Sequence, residues 1–269
     1  MKTSQKVVLV TGGSSGIGQA IAQYLSEQGH LVYATSRNPA QKMIGKVHMI
    51  AMDVCDHSSV SNALKIIQNE AGKLDVLVNN AGLGMAGPLE STSQEEAEEI
   101  FSTNVFGVLN VCRAAVPLMR TGGGHIINIT SIGGRFGLPY RGIYCSSKFA
   151  VAGLSETLSM ELRQFGIRVC ILEPGDFKTN INNNRKVAKA VDHEVYPRFK
   201  QALEQVNHEV SSAQDPVLIA KQIEKIIFKR KPRLYYQVAT PTQRLSVFLK
   251  RILPGRMFER IIMNHYNMK

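Results

Sequence analysis

The chain has 269 residues, of which 44% are hydrophobic and 20% charged; this is the composition of an ordinary soluble globular protein, long enough to bury one large core. The formal net charge of +11 is carried almost wholly by one end, with 12 Lys/Arg against 2 Asp/Glu from Val217 to Lys269 and near balance before it. The four Cys (Cys55, Cys112, Cys145 and Cys170) form no CxxC pair and no Cys/His cluster, which points to free thiols in a reducing compartment and away from a disulfide scaffold or a metal site.

In chain order, Val7–Val10 reads as a fully apolar strand, too short for the core of a signal peptide and leading straight into a glycine turn. A helix from Ile17 to Gln28 follows and stops at Gly29. Leu31–Thr35 and Val47–Asp53 read as strands, and a helix begins near Ser58. Leu74–Asn79 is a fourth strand, and a long helix covers Gln94 to Met119. After Gly122-Gly123-Gly124 comes the strand His125–Ser131, then a helix from Tyr144 to Phe165 closed by Gly166, then the strand Ile167–Leu172 and a seventh strand at Tyr235–Val238. No stretch has the uninterrupted apolar length of a membrane span. Apolar strands alternating with helices predict an α/β fold, a doubly wound parallel sheet in a single domain over 1–269. The segment 176–211 is expected to form a lid and 239–269 a C-terminal extension.

Two groups of residues carry chemistry. Thr11-Gly12-Gly13-Ser14-Ser15-Gly16-Ile17-Gly18 joins the first strand to the first helix. Glycines there let the backbone turn tightly and approach a pyrophosphate at the positive end of the helix. The spacing is TGxxxGxG and not the usual GxGxxG. Tyr144 and Lys148 stand four apart, hence on one helix face, and a fixed cation beside a phenol lowers its pKa toward the working range of a general acid.

With Asn79-Asn80-Ala81-Gly82, Asn104, Ser131 and Pro174-Gly175 in this order and spacing, the chain resembles the classical short-chain dehydrogenase/reductase family. The resemblance implies a nicotinamide-dependent oxidoreductase. It makes Tyr144 the general acid or base and Ser131 the donor to the substrate oxygen. Lys148 would hold the nicotinamide ribose and lower the Tyr144 pKa, and Asn104 would hold a water linking Lys148 to solvent. It assigns dinucleotide contacts to Gly12, Ser14, Ser15, Gly16, Ile17, Gly18, Ser36, Arg37, Asp53, Val54, Asn80, Ala81, Gly82, Pro174, Gly175, Phe177 and Thr179, alongside Tyr144 and Lys148. No metal is expected.

The second strand ends in Ser36-Arg37 with no acidic residue. A guanidinium suits a 2′-phosphate in charge and shape, so NADP(H) is favoured over NAD. The expected walls of the substrate site, Leu83–Gly87, Ile132–Tyr140 and the lid (Phe177, Ile181, Val187, Val191, Val195, Tyr196, Phe199, Leu203), are mostly apolar, with Arg135 and Arg141 as the fixed charges. That suits a hydrophobic ketone or secondary alcohol. The C-terminal section is similar to that of the 17β-hydroxysteroid dehydrogenase/retinol dehydrogenase-like branch, which implies a steroid-, retinoid- or lipid-like substrate. Leu245, Phe248, Leu249, Ile252 and Leu253 recur at helical spacing among basic residues. They suit docking on the body first and peripheral membrane contact second; nucleic acid binding is not expected. The resemblance leaves a homodimer or homotetramer open, in the cytoplasm. An NAD-dependent alcohol dehydrogenase and a non-catalytic dinucleotide sensor are the alternatives.

Overall fold

A computed structural model describes residues 4–179, 185–211 and 213–268; Ile181 lies outside the described residues. Its centre is an eight-stranded sheet built from β1 (Val7–Val10), β2 (Leu31–Ser36), β3 (Met43–Ile44), β4 (Val47–Ala51), β5 (Val76–Asn79), β7 (Gly124–Ile129), β8 (Ile167–Pro174) and β10 (Tyr235–Val238), in the order β10-β8-β7-β5-β1-β2-β4-β3. All neighbours are parallel except the β3–β4 edge pair. β1 pairs with β2 on one side and β5 on the other, so the strand order reverses there. In doubly wound sheets a crevice opens at that switch point, beyond the carboxyl ends of the strands.

Both faces are covered. On one side α2 (His57–Ala71), α4 (Gly107–Met119) and α5 (Gly142–Glu161) pack their apolar stripes on Leu9, Leu77, Ile126 and Val169; on the other, α1 (Gly16–Glu27) and α7 (Val217–Ile227) cover Val8, Val10, Val78, Ile127 and Cys170. This double coverage is why the strands are apolar at every position. The four Cys are free.

The helix expected over Gln94–Met119 is continuous, but consists of α3 (Gln94–Phe101), a π turn at Ser102–Phe106 and then α4. Ser93 and Glu96 form a capping box at its start. The extra residue of the π turn directs Asn104 and Val105 inward. By length and mean hydropathy this stretch could cross a membrane, although Glu95, Glu96, Glu98, Glu99 and Arg113 interrupt its apolar run; half of the apolar window is buried, as in the core helix of a globular fold.

After β8, the chain returns through β9 (Lys186–Val187), which pairs with β6 (Met85–Ala86), and enters α6 (Phe199–Ser211). The C-terminal section forms α8 (Pro241–Ile252) and α9 (Gly255–His265). Their inner residues Val247, Leu249, Leu253, Phe258 and Ile262 pack on Ile132, Phe136 and Leu138, with the Phe136 and Phe258 rings edge to face at 5.1 Å. The section therefore docks on the body. Leu245, Phe248, Ile252, Met257 and Ile261 remain exposed on its outer side.

Candidate active site

The glycine turn after β1 and the segment after β5 are tied to each other. Thr11 Oγ1 accepts from the backbone N–H of Asn80 (3.0 Å) and Ala81 (2.9 Å), and Asn80 Nδ2 donates to the carbonyls of Thr11 (2.9 Å) and Gly12 (3.1 Å). Gly12 has φ +64°, and a Cβ on it would stand 2.9 Å from Ala81 Cα, so this position needs glycine for both conformation and space.

A cavity of about 820 Å³ opens beside this turn and runs to the end of α5 that carries Tyr144 and Lys148. It is lined by Gly12, Ser14, Ser15, Gly16, Ile17, Ser36, Arg37, Asp53, Val54, Asn80, Ala81, Gly82, Ser131, Tyr144, Lys148, Pro174, Gly175, Phe177 and Thr179. Gly18 is the one expected dinucleotide contact that does not line it. Gly18 lies beneath the turn, where a Cβ would come within 2.2 Å of the Gly12 carbonyl oxygen and 2.4 Å of Asn80 Nδ2; its role is close helix–loop packing.

Asn104 is 1% exposed and ties three elements together. Its Oδ1 accepts from Leu83 N at 2.7 Å, while Nδ2 donates to Leu83 O and Ser147 Oγ, both at 3.0 Å. Ser147 in turn donates to the Tyr144 carbonyl at 2.7 Å. Asn104 thus fixes the loop after β5 against the turn of α5 that carries Tyr144.

Ser131 caps a short 3₁₀ turn through Gly133 N at 3.1 Å and shares a hydrogen bond with the Tyr144 phenol. Burial pushes that phenol above its ordinary 10, while the Ser131 bond and the Arg141 guanidinium pull it down. Lys148 Nζ stands 5.8 Å from the Tyr144 ring centroid and donates to the Ile129 carbonyl at 3.2 Å. Lys148 is 7% exposed, and burial lowers its pKa to about 8.

The walls depart from expectation. Leu83, Gly84 and Met85 line the cavity, but Ile132–Tyr140 does not, because α8 and α9 cover part of it. Arg135 turns away to the buried Glu173, its guanidinium stacked 3.6 Å over the Tyr235 ring. Arg141 lines the cavity as expected, joined by Asp176, Arg185 and Lys186. Of the lid residues, Phe177 lines it, Phe199 is buried and Val195 is exposed. Asp176 and Arg185 could not be assigned from spacing; the signal for Asp176 is its place directly after Pro174-Gly175.

Residues 6–190 match the short chain dehydrogenase family. This chain is a short-chain dehydrogenase. It is 42% identical to a 3-ketodihydrosphingosine reductase of Bacteroides thetaiotaomicron over 94% of this dehydrogenase and 95% of the relative. It is 34% identical to retinol dehydrogenase 8 of Bos taurus, over 87% and 81%, and lies in the hydroxysteroid/retinol dehydrogenase-like branch. A crystal structure of a short chain dehydrogenase/reductase from Burkholderia phymatum in complex with NAD superposes with a TM-score of 0.80 at 25% identity, covering 93% of this dehydrogenase and 94% of that chain. The dehydrogenase is thus an oxidoreductase with a fold that binds a nicotinamide dinucleotide. The residues present fit such a group: the glycine turn, Ser36, Arg37 and Asp53 line one cavity, and Ser36 Oγ is buried at the end of β2 with no hydrogen-bond partner among the described residues.

Proposed function

We propose that the chain is an NADP(H)-dependent reductase of hydrophobic, lipid-like ketones, able to run in reverse on the corresponding secondary alcohols. The observation that carries this is the convergence of Tyr144, Ser131 and Lys148 on one 820 Å³ cavity that also holds the glycine turn. NADP(H) is supported by Arg37 and the partnerless Ser36 hydroxyl at the end of β2, where a 2′-phosphate would take a charge-assisted bond. The relative that reduces 3-ketodihydrosphingosine, together with the charged wall of Arg141 and Asp176, favours a long-chain ketone with a polar head over a steroid or retinoid.

The nicotinamide supplies the hydride. As negative charge grows on the substrate oxygen, Ser131 and Tyr144 donate hydrogen bonds to it, and Tyr144 passes its phenolic proton to that oxygen. The buried Lys148 ammonium lies behind the phenol and suits the ribose hydroxyls of the dinucleotide. Asn104 and Ser147 hold the helix turn that aims Tyr144.

Four further assignments belong to this proposal. Asn104 holds a water that links Lys148 to solvent protons. The chain pairs with copies of itself through the helices at 94–119 and 142–161, where Phe106, Phe149 and Met160 are exposed. It works in the cytoplasm, which suits its four free thiols. It touches membranes peripherally through the outer side of α8 and α9, where exposed apolar residues alternate with Arg244, Arg251 and Arg260.

The test is NADPH consumption across long-chain keto lipids, steroids, retinoids and small carbonyls, with NADH in parallel. Turnover confined to the long-chain ketones with NADPH supports the proposal. Tight dinucleotide binding without turnover of any carbonyl would return the sensor alternative.

A further inference from the structure

Beyond α9 the chain contacts a residue that lines the cavity. Tyr266, just beyond α9, is 5% exposed and packs with Ala202 and Val206 of α6 and with Leu138 and Tyr140. Beside it His265 pairs with Glu209 of α6 at 3.1 Å, and Gln205 Nε2 donates to the His265 carbonyl at 2.9 Å. The Tyr266 phenol accepts from Nη2 of Arg141, 125 positions earlier, and the guanidinium carbon stands 5.6 Å from the Tyr266 ring centroid.

Arg141 is the N-cap residue of α5, three positions before Tyr144, and its backbone is fixed by bonds to Leu138 O (3.1 Å) and from Cys145 N (2.8 Å). Its side chain lines the same cavity as Tyr144 and Ser131. Its Nε is buried and has no hydrogen-bond partner among the described residues. Anchored by Tyr266 through Nη2, the guanidinium is held at the cavity wall three positions before Tyr144, where its charge and planar donors suit a ligand oxygen.

We propose that Arg141, held in place by Tyr266, is a substrate-binding residue that pairs with a second oxygen of the substrate, close to the reacting carbonyl. The C-terminal end of the chain would then complete the substrate site. The chemical class selected is a ketone carrying a neighbouring oxygen acceptor such as a hydroxyl group. A ketone with only one oxygen gives that oxygen to Tyr144 and Ser131 and offers Arg141 no acceptor, which a site built for hydrogen bonding disfavours. The inference rests on the functional proposal above, that this cavity reduces ketones.

The experiment compares a long-chain ketone bearing a hydroxyl near the carbonyl with the plain ketone of equal length, in the wild type and in Arg141→Met, Arg141→Lys and Tyr266→Phe. The wild type prefers the hydroxylated ketone by about 10-fold to 100-fold in kcat/KM, mostly through KM. Arg141→Met removes the preference with dinucleotide affinity kept within about twofold. Arg141→Lys, which keeps the charge but not the fork, restores part of it. Tyr266→Phe lowers it, since the guanidinium loses its anchor. A wild type that does not discriminate, or an Arg141→Met variant that discriminates as well as the wild type, overturns the inference while leaving ketone reduction intact. If neither ketone is turned over, the functional proposal fails instead. Calorimetric binding of the same pair to the NADPH-bound protein then decides the inference, which a preference lost in Arg141→Met supports and equal affinities overturn.

Discussion

Replacing Arg37 by Ala tests the cofactor assignment at a single contact. Arg37 lies one residue past the end of β2, is exposed, and lines the cavity beside Ser36 and Asp53. A hydrogen bond to a charged partner contributes about 1.5–3 kcal/mol, and an exposed guanidinium screened by solvent belongs at the low end. Arg37→Ala should therefore weaken NADPH binding by about 10-fold to 30-fold and leave NADH within about twofold. Fluorescence titration of both dinucleotides at low and physiological salt reads this directly. The NADPH loss should shrink as salt rises, because salt already screens the contact in the wild type. Equal losses for the two dinucleotides, or a wild type that binds NADH more tightly, would refute the assignment and favour the NAD-dependent alternative.

Lys148 carries a stability cost for its function. Its folded-state pKa is lowered from 10.5 to about 8 by burial, so the fold penalises the charged form. At pH below about 8 the full penalty, about 3 kcal/mol, is present. It fades as pH rises from about 8 toward 10.5. Lys148→Met should accordingly raise urea stability by about 3 kcal/mol at neutral pH, with the gain vanishing near pH 10.5, and should abolish turnover; a gain that does not change with pH contradicts this. Removing the Phe258 ring from its contact with Phe136 should cost about 3 kcal/mol in urea unfolding, whereas a negligible loss would mean that α9 is not docked. Vesicles containing anionic lipid should bind the protein and zwitterionic vesicles should not. Reversing Arg244, Arg251 and Arg260 to Glu should weaken flotation by about 100-fold or more, at about 1 kcal/mol for each basic residue removed; binding that ignores lipid charge contradicts the peripheral contact.

Much of this site is legible in the sequence because its chemistry is local. The glycine turn must follow a strand and open a helix, and Tyr144 and Lys148 share a face by their spacing alone. Lys148 and Asn104 even appear at the same glycine, where a Cβ on Gly82 would stand 3.5 Å from Lys148 Nζ and 3.1 Å from Asn104 Oδ1. What stays hidden depends on distant partners. Nothing near Arg135 shows that Glu173 will claim it, and nothing near Arg141 announces Tyr266. Ile132–Tyr140 looks like a pocket wall until α8 and α9 are laid over it. The π turn around Asn104 leaves no mark on the apolar periodicity, because one extra residue within a long helix shifts the stripe without breaking it. The apolar positions of α7, Ile219, Ala220, Ile223 and Ile227, have helical spacing, but only the fold shows that α1 is the helix they pack against.

Reduction with NADPH deuterated at the transferring position tests the central claim most directly. With a hydroxylated long-chain ketone as substrate, the product alcohol should carry one deuterium on the carbinol carbon. Tyr144→Phe should lose at least about 10²-fold to 10³-fold of that transfer while binding NADPH as tightly as the wild type. Product without the label, or a Tyr144→Phe variant that transfers it at the wild-type rate, would contradict the account.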